Sequence, residues 1–327
     1  MSLLKFLPKD VAIICPTKNQ PTKVLKLLES IQLSSVIPAQ IIIADGGKNL
    51  KPVLKRLEKI LNIYCLYCPV GGQILQRNLA LNYLDSSIRL VIFLDDDIIL
   101  SKNAIRNILS YWNNKQKDLL KPLAGVSFNI VNATVPKNSI FRNLFFLNSE
   151  PRGSVSKGGY ASPYCPATEN HDVEWVLGGA TAWSRDIVDK YKHPINFPTR
   201  WAVCEDLMFS YPLLKNYRLA VVKNADVYHI EENEGIDFPT AVFKGLSSVI
   251  MRYFFVCQNP NLSSLAFCWM TTGVLIGNFI LGVRGSNYHL GLFVGGLKGF
   301  VAVLLKFRHN DKVTEMAKGL AQFKSIQ

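Results

Sequence analysis

Four times within the first hundred residues, a short β-branched apolar run stops at a proline, glycine or aspartate, the punctuation that ends a strand. VAIIC at 11–15 stops at Pro16, and Val24, Leu25, Leu28 and Ile31 then recur at helical spacing. IIIA at 41–44 breaks at Asp45-Gly46-Gly47 and leads to Val53, Leu54, Leu57 and Leu61. A third run at 63–67 breaks at Gly71-Gly72 before a helical stretch at 73–84, and RLVIFL at 89–94 ends in Asp95-Asp96-Asp97. Strands that are apolar throughout are buried on both faces, the condition of a parallel sheet between two helix layers. The fold class expected is therefore α/β, Rossmann-like, with a mostly parallel central sheet. A hydrophobic content of 49% over 327 residues supplies its core.

In open α/β sheets, ligands bind beyond the carboxyl ends of the strands. Those ends carry Pro16-Thr17-Lys18-Asn19, Asp45-Gly46-Gly47, Gly71-Gly72 and the three aspartates. No G-x-G-x-x-G follows the first strand, which argues against an ordinary dinucleotide dehydrogenase. The segment 131–172, rich in Asn, Ser, Pro and Gly, reads as a functional loop forming a mobile wall of the site. Periodic structure resumes at 173–183, with helices expected from Arg185 and after Glu205-Asp206 and strand-like runs at 218–222 and 226–230. A catalytic domain over 1–236 is expected.

Three adjacent carboxylates at a buried strand end repel one another unless a cation or hydrogen bonds offset the charge. Mg²⁺ or Mn²⁺, which favour carboxylate and phosphate oxygens, would do so; capping the helix after Ser101 is the alternative. Arg77, just after a glycine-bearing turn, suits either a phosphate or a surface salt bridge. Gly178-Gly179-Ala180 marks a close approach, to a ligand or to a packed strand. Trp175 is a sugar-stacking or core aromatic, His229 a metal contact or a structural histidine, and His171 and His193 have no such context. Glu205 and Asp206 precede an apolar helix, where they either favour its dipole or perform acid–base chemistry. Cys65 and Cys68 sit at an odd offset in a strand with no second pair following, so no zinc site is expected. Seven cysteines, several inside apolar runs, fit a reducing, cytosolic setting, and no apolar segment before Val11 signals a leader or anchor.

PTKN, ADGG, QRN, DDD, GGA and ED, in that order between Val11 and Ile230, resemble the inverting glycosyltransferases of family 2, which have the GT-A fold. The resemblance implies that Pro16, Thr17, Asn19 and Asp45 surround the base and ribose of a nucleotide-sugar, with Arg77 near its diphosphate. Asp95 and Asp97 become the D-x-D pair, Asp95 and Asp96 on the donor and Asp97 on the metal, with His229 as a further metal contact. Trp175, Gly178, Gly179 and Ala180 border the acceptor, Asp206 is the general base, and Glu205 positions the acceptor or loop. At the second strand Ala44-Asp45 stands where the family has two acids. The activity implied is inverting sugar transfer from a nucleotide-diphosphate donor to a glycan or lipid-linked acceptor, for surface polysaccharide or glycolipid assembly.

The net charge of +13 is unevenly spread: from residue 240 onward nine Lys or Arg face two acids, in the most apolar quarter of the chain. Residues 262–283 carry no charge, and 290–305 are interrupted by Lys298. Gly273 and Gly277, and Gly291, Gly295 and Gly299, recur at the four-residue spacing that lets helices approach closely. Region 237–327 is thus expected to associate with the cytoplasmic face of a membrane. It would do so as a spanning hairpin with Lys306, Arg308 and Lys312 on anionic headgroups, or as interfacial helices. Lys244, Arg252, Tyr253, Phe254 and Phe255 would lie in the interface or line the acceptor site, and no nucleic-acid partner is expected. Two other readings remain: a metal-dependent nucleotidyltransferase and a membrane-attached nucleotide-sugar sensor without turnover.

Overall fold

Every residue of Val11–Thr17 is buried, as an apolar run covered on both faces must be. The computed structural model describes residues 5–47, 50–69, 71–115, 121–148, 150–191, 203–230 and 235–306. In chain order the elements are β1 (Val11–Thr17), α1 (Pro21–Gln32), β2 (Gln40–Asp45), α2 (Lys51–Leu54), β3 (Ile63–Tyr67), α3 (Gln73–Leu81) and β4 (Leu90–Leu94). There follow β5 (Ile98–Leu100), α4 (Ala104–Lys115), β6 (Leu123–Ile130), α5 (Ile140–Leu144), β7 (His171–Val173), β8 (Ala180–Ser184) and α6 (Arg185–Lys190). The last are α7 (Glu205–Ser210), β9 (Arg218–His229), α8 (Phe238–Gln258), α9 (Ser264–Val283) and α10 (Asn287–Lys306). Two compact units result: Met1–Val135 with Tyr164–Ile195 and Phe209–Glu231, and Pro136–Pro163 with Asn196–Met208 and Glu232–Gln327.

The first unit holds one sheet in the order β3-β2-β1-β4-β8-β6-β9-β5, with β7 also paired to β9. β1 to β4 are mutually parallel, as their apolar character predicts. The sheet then changes direction, since β8 runs antiparallel to both β4 and β6. Alternate residues of each strand feed opposite layers: Ile13, Ile43 and Ile92 join one core, and Ile14, Ile42 and Phe93 the other.

Two sequence expectations change. The helix expected after β2 is a single turn, although Leu54, Leu57 and Leu61 are buried at the predicted spacing. The runs at 218–222 and 226–230 are one strand, β9, whose pairing with β6 shifts register between Ser127 and Asn129. That irregularity absorbs the polar residues that looked like a break. β6 itself is a long strand that the reading did not single out.

In the second unit, Asp237 and Ser263 cap α8 and α9, accepting hydrogen bonds from the Thr240 and Ala266 backbones. α8, α9 and α10 are each long and apolar enough to cross a bilayer, by length and composition. Two of them match the apolar runs; α8, with Lys244 and Arg252, was expected only as a basic aromatic stretch. The glycine spacing also meets a different partner. A Cβ on Gly291 would lie 2.6 Å from that of Ala241, one on Gly295 would overlap the Val242 carbonyl, and one on Gly299 would lie 3.0 Å from the Leu246 carbonyl. The glycine face of α10 therefore packs on α8. Gly273 instead accommodates Phe145, and a Cβ on Gly277 would meet nothing within 4 Å. Arg308 and Lys312 lie outside the described residues.

Candidate active site

The strand-end loops of the first unit are tied together by backbone-directed side chains. Asp45, 4% exposed, accepts a hydrogen bond from the Gly47 N–H through Oδ1 at 2.7 Å. A Cβ on Gly47 would overlap the side chain of Asn19, whose backbone is left-handed at φ 57°. The PTKN and DGG loops thus touch where only glycine fits. Gln76 on α3 joins them from beneath: its Nε2 donates to the carbonyls of Thr17 (2.7 Å) and Ala44 (2.6 Å), and its Oε1 accepts from Gly72 N–H at 3.2 Å. Sequence reasoning gave Gln76 no role. The available signal was a polar residue on the buried face of a helix, one turn after a glycine.

Each of the three aspartates has a different partner. Asp95 accepts from Arg77 Nη2 at 2.7 Å and from the Gln73 amide. Arg77 is 0% exposed, its guanidinium 5.7 Å above the Phe93 ring, so the surface salt bridge is ruled out and its charge meets Asp95 from below. Gly179 crosses this carboxylate so closely that a Cβ would overlap it, and its carbonyl accepts from Asp95 N–H at 2.8 Å. The close approach predicted at the GGA segment is therefore to Asp95, with Ala180 pairing with Leu94 at the start of β8. Asp96 accepts from the Thr17 hydroxyl.

Asp97 differs: its Oδ1 is buried and has no hydrogen-bond partner among the described residues. His229 Nε2 stands 3.4 Å away, too long for a good hydrogen bond and close enough for both atoms to face one ion. The antiparallel pairing of Ile98 with His229, and the Ile230 N–H bond to the Asp97 carbonyl at 2.8 Å, bring together residues far apart in sequence. Asn132 grips the His229 backbone at both its N–H (3.0 Å) and its carbonyl (2.8 Å).

Burial, reinforced by Asp97 and Asp95 and opposed by the Thr17 hydroxyl and Lys23, pushes the Asp96 carboxyl up to about 6. Burial and Asp95 also raise Asp97, against His229 and Lys23. An orphaned buried carboxylate oxygen beside an imidazole, in a site that resists negative charge, fits a hard divalent cation. Among the described residues no group of three His, Cys, Asp or Glu side chains converges as a metal cage. Mg²⁺-type sites that complete their shell from phosphate and water need none.

Pro16 is buried in β1 opposite Ala44. Trp175 is half-buried, edge-on to Tyr164 with ring centroids 5.3 Å apart, and Gly178 is half-buried. Glu205 and Asp206 open α7 within the second unit, Glu205 6% exposed and Asp206 half-buried, its Oδ1 accepting from Leu207 N–H at 2.8 Å. His171 pairs with Val221, toward the opposite end of β9 from His229. His193 lies outside the described residues. None of the seven cysteines is in a disulfide; Cys65 is half-buried and Cys68 buried.

Residues 12–159 match the family described as Glycosyl transferase family 2. The poly(ribitol-phosphate) beta-N-acetylglucosaminyltransferase TarP of Staphylococcus aureus (strain N315) is 25% identical over 233 residues, 69% of this chain. That match spans 64% of TarP's length. Among solved structures, residues 1–349 of S. aureus TarS superpose with a TM-score of 0.55 at 14% identity, covering 97% of this chain and 92% of that one. The mannosyltransferase PcManGT of Pyrobaculum calidifontis, solved with GDP-Man and Mn²⁺, gives 0.53 at 13% identity, covering 97% and 87%. With its sheet reversing direction after four parallel strands and its acid cluster at the end of the fourth, the chain has the GT-A fold, and the segment that carries this site, residues 12–159, resembles glycosyltransferase family 2.

Proposed function

We propose that this chain is a metal-assisted, inverting transferase that moves a sugar from a nucleotide-diphosphate donor to a hydroxyl of a glycan or lipid-linked acceptor. The observation that carries the reading is the buried Asp97 Oδ1, without a hydrogen-bond partner among the described residues and 3.4 Å from His229 Nε2, at the edge where the strand-end loops converge. Mg²⁺ or Mn²⁺ held by Asp97 and His229 would supply the positive charge that stabilises the departing diphosphate. Pro16, Thr17, Asn19 and Asp45 hold base and ribose, and Asp95 reaches the ribose in an orientation set by Arg77 and Gln73. Asp96, fixed by Thr17, shapes the donor side. Trp175 and Gly178 to Ala180 border the acceptor.

Asp206 accepts the proton of the attacking hydroxyl, and Glu205 orients the loop that carries it. The acceptor oxygen bonds to the anomeric carbon as the bond to the diphosphate oxygen breaks on the opposite face. One displacement of this kind inverts the anomeric configuration. Residues 1–236 form the catalytic part and 237–327 attach it to the cytoplasmic face of a membrane. The name of the relative TarP adds an anionic polyol-phosphate polymer to the acceptors worth testing.

Purified protein incubated with a panel of nucleotide-sugars and Mn²⁺ or Mg²⁺ should release nucleoside diphosphate. Asp97→Ala should lose the metal-stimulated release by about 100-fold or more. Asp206→Asn should bind donor normally yet transfer at least ~100-fold more slowly. Pyrophosphate release from a nucleoside triphosphate would instead make the chain a nucleotidyltransferase, and donor binding without turnover of any acceptor would make it a sensor.

A further inference from the structure

At the other end of β9, within the first unit, α4 and the β7–β9 pair enclose a cleft of about 490 Å³, a volume typical of small-molecule sites. Its wall is unusually rich in carboxamides, with Asn107, Asn114, Asn170 and Asn224 around His171. We propose that this cleft binds a neutral, hydroxyl-rich carbohydrate segment, at a site separate from the donor edge.

The argument starts at His171. Its Nδ1 lies 3.2 Å from the Glu169 carbonyl, a contact that is favourable only when Nδ1 carries the proton. In the neutral ring Nε2 is then a bare acceptor, and it is buried without a hydrogen-bond partner among the described residues. An unmet buried acceptor costs about 1–3 kcal/mol, and a donor entering the cleft recovers that cost.

Charge then selects the kind of donor. Arg218 spends its Nε and Nη2 on the two oxygens of Asp172, at 3.0 and 3.1 Å, so that pair is electrically closed and the exposed Lys115 is the other charged side chain in the lining. An inorganic or polymer phosphate brings acceptors to a nitrogen that needs a donor. A sugar hydroxyl donates to Nε2 and accepts from a carboxamide N–H at once, and adjacent asparagines suit adjacent hydroxyls. The separation from the acid cluster follows from the strand: Val221, opposite His171, precedes His229 by eight residues, about 25 Å of extended chain. The cleft would anchor the far part of an extended glycan, a role that rests on the transferase reading, whereas carbohydrate binding there does not.

The test measures binding to the full chain in detergent, by titration calorimetry or saturation-transfer NMR. The probes are tetrasaccharides of glucose, galactose and N-acetylglucosamine, and inorganic phosphate. At least one tetrasaccharide should bind with a Kd near ~1 mM. His171→Leu should weaken it about fivefold, and His171→Gln, which keeps an acceptor, should restore it. Asn114→Ala, on the exposed face of α4, should weaken binding about threefold without disturbing the fold. Asp97→Ala should leave it unchanged. The proposal is overturned if no tetrasaccharide binds saturably, if His171→Leu and Asn114→Ala bind like the wild type, or if only phosphate binds. Saccharide binding without nucleoside diphosphate release would sink the transferase reading and leave this site standing.

Discussion

One carboxamide, that of Gln76, satisfies the carbonyls ending β1 and β2 and the turn before α3, so the geometry of the donor edge depends on a residue that need not touch donor. Gln76→Met keeps the bulk and strands those groups. It should cost about 2–3 kcal/mol in denaturant unfolding and raise donor KM more than it lowers kcat. An unchanged KM would reduce Gln76 to a fold residue. Arg77 shows the complementary case, an ionic side chain legible as functional whose immediate partner, Asp95, only the structure identified. Asp10 supplies a pH handle away from the site. Burial raises its carboxyl, but the Arg89 hydrogen bond at 2.6 Å, the Leu7 N–H and the charges of Arg89 and Lys9 outweigh that and hold it below its ordinary value. Its stabilising contribution is therefore complete above about pH 4 and is lost as pH falls through the depressed value. Asp10→Asn should flatten this part of the acid limb in urea titrations between about pH 2 and 6.

Local periodicity fixes elements well where each residue's neighbours in sequence are also its neighbours in space. The strand–break–helix repeats over residues 11–94 were legible for that reason. The direction of β8 and the unity of β9 were not, because both depend on pairing with distant β4 and β6. Glycine spacing in the apolar helices was equally visible and equally silent about partners. Gly295→Ala would drive a methyl into the Val242 carbonyl, and should lower detergent-phase stability by about 1–3 kcal/mol. Gly277→Ala, with open space at its Cβ, should be neutral or stabilising by up to about 1 kcal/mol. Equal effects in thermal unfolding would contradict the α8–α10 packing.

The helical unit changes the membrane problem. As α10 advances from Gly291 to Gly299 its partners on α8 advance from Phe238 to Val249, so the two helices run parallel and share one depth. If the region spans, the packing of α10 on α8 would make α8 a third crossing helix beside the expected hairpin pair, α9 and α10. Lys244 and Arg252 on α8 and Lys298 on α10 would each be costly at mid-bilayer, about 3 kcal/mol apiece, which favours seating in the interface. Exposed Leu265, Trp269, Phe279 and Val283 on α9 and Leu304 and Leu305 on α10 supply the apolar side of such an arrangement. Cysteines introduced as Asn287→Cys and Lys306→Cys should react with an impermeant maleimide only after cells are permeabilised. Labelling of either in intact cells would establish a crossing.

By itself the sequence determined the α/β class, the polar edge of the sheet and the acid cluster, because these are written in contiguous residues. Tertiary structure alone decided that Arg77 sits beneath Asp95, that His229 comes to Asp97, that Gln76 joins two loops and that α10 lies on α8. Each of those is a register between segments far apart along the chain. Strand pairing and helix packing set such registers through many small contacts at once, and no local pattern encodes their sum.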